Sequence, residues 1–96
     1  MAYETNALHL NKANHQFEME VDGSIAFIEY KEKGNTIYLV HTETPPELEG
    51  KGVASALVEK TLHYLDEHLL KLVPFCSFVQ TYLQRHPEWN RLITED

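Results

Sequence analysis

Glu49-Gly50-Lys51-Gly52-Val53-Ala54 joins an extended segment to a helical one, and the fold is read outward from it. Upstream, Thr36 to Thr44 contains Ile37-Tyr38-Leu39-Val40, an apolar run expected of a central strand covered on both faces. Pro45-Pro46 can donate to no ladder and closes that strand. Downstream, Ala54, Val58, Thr61, Leu62, Leu65 and Leu69 recur at helical spacing, with Ser55, Glu59, His63, Asp66 and Glu67 opposite. This predicts a helix from Gly52 to His68. A helix start leaves its first N–H groups without internal partners and adds partial positive charge. Glycines let such a backbone approach a phosphate closely. A pyrophosphate cradle and a plain helix entry with glycines for turn geometry both satisfy this spacing. The loop is not a Walker loop, since Gly50-Lys51 is not followed by Ser or Thr, and it lacks the third glycine of G-x-G-x-x-G.

The remaining segments organise around that joint. Gln16 to Val21 alternates Phe17, Met19 and Val21 with Gln16, Glu18 and Glu20, a half-buried strand. Asp22-Gly23 is a two-residue hairpin turn. Ser24 to Lys31 is the next strand, and Lys33-Gly34-Asn35 turns the chain into Thr36 to Thr44. Beyond the long helix, Lys71 to Phe75 is a short strand, and Ser77 to His86 is a second helix. Its start carries Ser77 and Gln80 as a capping box, and Pro87 stops it. In the tail, Trp89, Leu92 and Ile93 fold back onto the body. The order is β-β-β-α-β-α: an α+β sandwich whose mixed sheet combines an antiparallel meander with a parallel β-α-β crossover. Residues 1–96 are expected as a single domain, with 1–13 a flexible or peripheral N-terminus.

Composition narrows the function. The chain has 96 residues, 43% of them hydrophobic, enough for one thin core. Lys and Arg number 8 against 15 Asp and Glu, a formal charge of −7. Such a field argues against nucleic acid or an anionic membrane as partner and favours a cationic acceptor such as an amine. With one cysteine, no intramolecular disulfide can form, and a cytoplasmic protein is expected. No apolar run approaches the roughly 20 residues of a membrane span. His63 and His68 are five apart and share no helix face, so no metal is assigned. A monomer or weak homodimer is expected.

The glycine loop resembles the Gln/Arg-x-x-Gly-x-Gly/Ala motif of GCN5-related N-acetyltransferases, with Gly52 and Ala54 matching and Glu49 standing where the larger family has Gln or Arg. The wider chain is similar to the minimal acetyltransferase-like proteins of about this length. The shared features are His41-Thr42, Pro46-Glu47-Leu48, Pro74-Phe75-Cys76-Ser77-Phe78-Val79, Tyr82 and His86-Pro87-Glu88-Trp89. The resemblance spans Gln16 to Trp89; one departure is Ser77, where many members carry Pro. It implies a truncated acyl-CoA N-acyltransferase fold and acetyl-CoA or coenzyme A as cofactor. Glu49, Gly50, Lys51, Gly52, Val53, Ala54 and Ser55 would lie at the pyrophosphate, with Thr42 also in the cofactor site. It further implies acetyl transfer to the amine of a small molecule or protein. The runner-up is a CoA-binding or interaction module with little catalysis. Asp22-Gly23 replaces the helices that shape the acceptor site in larger relatives, which leaves the acceptor side open.

Three further residues are candidates for chemistry. Cys76 precedes the second helix, where a helix N-terminus favours the nucleophilic thiolate. The resemblance places it near the reactive end of the pantetheine arm; as plain packing it would be a small buried hydrophobe. His41 and Glu43 end the strand that leads into the loop, and an imidazole there suits a base near neutrality. As a purely structural residue, His41 would cap the strand end.

Overall fold

The computed structural model describes residues 3–95. Strands β1 (Leu8–Asn11), β2 (Gln16–Val21), β3 (Ser24–Lys33) and β4 (Thr36–Glu43) come first. A short 3₁₀ turn (Pro46–Leu48) leads to helix α1 (Val53–Glu67) and strand β5 (Lys71–Pro74). Helix α2 (Ser77–Arg85) and a 3₁₀ segment (Pro87–Leu92) complete the chain. The sheet runs β1-β2-β3-β4-β5 in chain order, antiparallel throughout except for the parallel β4–β5 pair.

The hairpins form where the turn residues allow them. Asp22 (φ 51°) and Gly23 (φ 82°) both take positive φ, as a primed two-residue turn demands. Phe17, Met19 and Val21 pair with Ile28, Ala26 and Ser24, which puts the apolar set of β2 beside that of β3. Phe17, Met19, Val21, Ala26 and Ile28 make one buried face with Tyr30, Ile37 and Leu39. On it rest Leu57, Leu62 and Leu65 of α1 and Val79 and Leu83 of α2, all in one core cluster. Tyr82 donates to the Glu59 carboxylate (2.7 Å), and Arg91 grips Asp66 with two bonds (2.7 and 2.9 Å). Both contacts bind the C-terminal part to α1, so the helices lie on the same side of the sheet.

Four details differ from the sequence reading. Residues 8–11, expected as a flexible or peripheral N-terminus, form edge strand β1, in which Leu8 and Leu10 oppose Met19 and Phe17. Strand β4 is not covered on both faces: Ile37 and Leu39 are buried, but Tyr38 and Val40 are only half-buried, because among the described residues no helix crosses the other side. Ser77 and Gln80 form no capping box. Cys76 holds the cap position, since its N–H is tied to the Leu39 carbonyl, and the Gln80 amide donates instead to the Pro74 carbonyl (2.8 Å). Leu69 does not join the α1 stripe; it follows the helix at φ 57° and is 83% exposed. On β5, for which the sequence set no facing, Leu72 joins the core cluster and Val73 is buried outside it.

Candidate functional site

The site originates in a single irregularity of β4. Glu29 pairs with His41 and Tyr30 with Leu39, so Val40 is an extra, unpaired residue, a β-bulge. The bulge shifts the alternation by one, and Thr42 comes opposite core-facing Ile28 while His41 and Glu43 oppose Glu29 and Phe27. The parallel ladder to β5 ends at Leu39–Pro74, where the Leu39 carbonyl accepts from the N–H groups of both Phe75 (3.0 Å) and Cys76 (2.9 Å). From there the chain enters α2. Val40 to Glu43 therefore lose the strand on that side.

A cleft of about 470 Å³ lies beside the freed end of β4. Thr42, Glu43 and Thr44 form its strand wall; Leu48, Glu49, Gly50 and Gly52 form its floor. Val53, Ala54 and Ser55 supply the start of α1, and Phe78 closes the side toward α2. Gly50 (φ 76°) and Gly52 (φ 77°) are both left-handed. A Cβ built on either would meet no atom within 4 Å, so both face open space. Gly52 is also the N-cap of α1 and has no side chain with which to cap it; no acidic residue stands in the first turn. The first helical bond runs from the Ala56 N–H to the Gly52 carbonyl (3.1 Å), which leaves the Val53, Ala54 and Ser55 N–H groups without helical acceptors. Bare donors, a helix dipole and two glycines suit a diphosphate; the residues present match the group the fold family implies.

The other sequence candidates lie around this cleft, not all of them in it. The Lys51 carbonyl accepts from the Tyr3 hydroxyl (2.8 Å), and Lys51 lines a neighbouring hollow with Tyr82 and His86. Cys76 is 7% exposed and belongs to the core; its Sγ is 3.1 Å from the Thr42 hydroxyl oxygen, so the thiol stands behind the cleft wall. His41 is exposed on the opposite sheet face, with Nε2 3.2 Å from the Glu43 carboxylate. Glu43 thus borders the cleft and touches His41. Thr44, Leu48 and Phe78 were not singled out as site residues; they reach the cleft from the end of β4, from the 3₁₀ turn and from the start of α2, and no periodicity announces that these three meet. Among the described residues no cluster of His, Cys, Asp or Glu is placed to hold a metal, and no helix is long and apolar enough to cross a membrane.

A mixed sheet with a bulged strand, a broken parallel ladder and a glycine-started helix at the break defines an acyltransferase-type fold. Residues 16–92 match the family described as GCN5-related N-acetyl-transferase, and the chain belongs to that family. The chain is similar to Protein NATD1 of Xenopus tropicalis, 28% identical over 81 residues, covering 80% of this chain and 73% of that one. Protein NATD1 of Homo sapiens is likewise 28% identical, covering 80% and 71%. The fold is also that of a GCN5-like protein of Staphylococcus aureus solved by NMR, with a TM-score of 0.70 and 23% identity over 97% of this chain and 92% of that one.

Proposed function

We infer that the chain binds acetyl-CoA in the cleft beside β4 and catalyses acetyl transfer to an amine. The observation that carries this reading is the meeting, in one cleft, of uncapped N–H groups at Val53 to Ser55 and the end of β4 that runs on past its pairing with β5. When bound, acetyl-CoA supplies a thioester whose acetyl group passes to the amine nitrogen, forming the N–C bond as the C–S bond breaks. The backbone from Gly50 to Ser55 holds the diphosphate. The strand edge from Val40 to Glu43 offers backbone groups to an extended arm. Family membership supports the reaction class, and the exposed His41–Glu43 pair supports a base that takes the amine proton. The half-buried Thr42 hydroxyl, backed by the buried Cys76 thiol, supports a polar cleft wall beside the reacting carbonyl.

Calorimetric titration with CoA tests the first half, and thiol release from acetyl-CoA over an amine panel tests the second. Binding with amine-dependent release is the expected result. His41→Ala is expected to lower the rate about tenfold or more with CoA affinity nearly unchanged, because a base acts in the transition state. CoA binding without turnover on any amine would leave a binding module, and absence of CoA binding would remove the cofactor assignment.

A further inference from the structure

The face of the sheet away from the helices carries a second pattern. Since Phe17, Met19 and Val21 face the core, Glu18 and Glu20 face away from it, and so do their partners Phe27 and Ile25 on β3. Phe27 stands between Glu18 on β2 and Glu43 on β4, while Glu29 stands between Gln16 and His41. Next to them the rings of Tyr38 and Phe75 meet at 5.7 Å, with Phe75 58% exposed. Lys31, opposite Tyr38, is the cation nearest this patch on β3, and Asn11 donates to Glu18 from β1. Four carboxylates therefore surround aromatic surface on a face that, among the described residues, no helix covers.

We propose that this open face docks an extended, lysine-bearing polypeptide segment and presents one of its amines to the edge at His41 and Glu43. The proposal rests on the acetyl-transfer reading for the fate of the amine, but the docking itself requires no cofactor. Charge complementarity selects the occupant: Glu18, Glu20, Glu29 and Glu43 spread over three neighbouring strands, in a chain of net charge −7. Adjacent strands lie about 4.8 Å apart, so the patch is about 10 Å wide, and an extended chain places alternate side chains about 7 Å apart. Lysines at alternate positions can thus meet carboxylates on successive strands. Their aliphatic stems can lie on Phe27, Tyr38 and Phe75, with cation–π attraction near the rings. A small polyamine would find charge here but little concavity to enclose it.

The test uses the full chain without cofactor, labelled with ¹⁵N. It is titrated with a capped peptide of alternating lysine and serine, with the glutamate counterpart, and with spermidine. Shifts on the amides of Phe27, Glu29, Tyr38 and His41 with the lysine peptide alone, weakening with salt, are expected. The variant carrying Glu18→Lys and Glu29→Lys should unfold at the wild-type temperature and keep its CoA affinity while losing about tenfold or more in peptide affinity. Lysine-peptide shifts that are absent, lie on the helices or survive the double substitution would overturn the proposal, as would spermidine binding as tightly as the peptide. CoA is titrated separately, so failure of the cofactor assignment and failure of the docking face are read from different experiments.

Discussion

Gly52 meets two demands at one residue. Its φ of 77° is one that a β-branched residue adopts only under strain, and its missing Cβ leaves the approach to the Val53–Ser55 N–H groups open. Gly52→Val should cost about 1–3 kcal/mol of stability from the backbone alone. Among molecules that remain folded, it should also weaken CoA at least about tenfold, about 1.4 kcal/mol. Lys51→Ala should cost about twofold, as for a peripheral charge. Calorimetry on variants verified as folded decides, and a larger loss for Lys51→Ala would refute the backbone cradle. At Cys76 the geometry gives a separate expectation. The thiol lies 3.1 Å behind the Thr42 hydroxyl and is buried, so alkylation of the native protein should be slow. Thr42→Ala should expose Sγ to the cleft and speed alkylation on the order of tenfold, with bound CoA slowing it again. Unchanged alkylation in Thr42→Ala would place the thiol's access elsewhere. The glycines were legible in the sequence because their type limits what the backbone can do. The burial of Cys76 was not, since it depends on how the strand end at Leu39 meets the start of α2.

At the scale of elements, the C-terminus of α1 shows a local conflict resolved by tertiary structure. The Leu70 N–H bonds the Leu65 carbonyl (2.8 Å) and the Leu69 N–H bonds the Asp66 carbonyl (3.2 Å), the two bonds of a Schellman motif. Its left-handed residue is ordinarily glycine; here it is Leu69 at φ 57°. A left-handed L-residue costs about 1–2 kcal/mol, part of which glycine gives back as chain entropy in the unfolded state. Leu69 is 83% exposed and contributes little packing. Leu69→Gly should therefore stabilise by about 0.5–1 kcal/mol, a rise in Tm of roughly 3–6 °C by circular dichroism. A fall in Tm would mean that the Leu69 side chain holds something in place. The same residue explains why the helical stripe was extended one turn too far: Leu69 has the right spacing from Leu65, and only the Schellman bonds remove it from the face. Strand β2 was legible from its period-two alternation, β3 from the turns at Asp22-Gly23 and Lys33-Gly34-Asn35, and β4 from its apolar run, because all of these signals act locally. Strand β1 has two apolar residues in four, too short a pattern to register, and forms because β2 offers it a free edge. The bulge at Val40 was illegible for the same kind of reason: it is a property of the pairing between β3 and β4.

Over the whole molecule, the helices lie on one face of a five-stranded sheet, and the other face carries Ile25 (46% exposed) and Phe75 (58% exposed) in the open. Exposed apolar surface on a flat sheet ordinarily invites self-association. Charge opposes it here. Two copies placed face to face would bring Glu18, Glu20, Glu29 and Glu43 of one against the same residues of the other, within a total charge of −7 on each chain. At low ionic strength the Debye length is about 30 Å at 0.01 M, so this repulsion acts over the whole face; at 1 M it shrinks to about 3 Å. Sedimentation velocity should accordingly show a monomer in dilute buffer and a weak dimer emerging as salt is raised. Phe75→Ser should suppress that dimer without lowering Tm, because the ring meets Tyr38 outside the core cluster. A dimer already present at low salt and dispersed by salt would mean that an ion-paired surface other than this face holds the copies together.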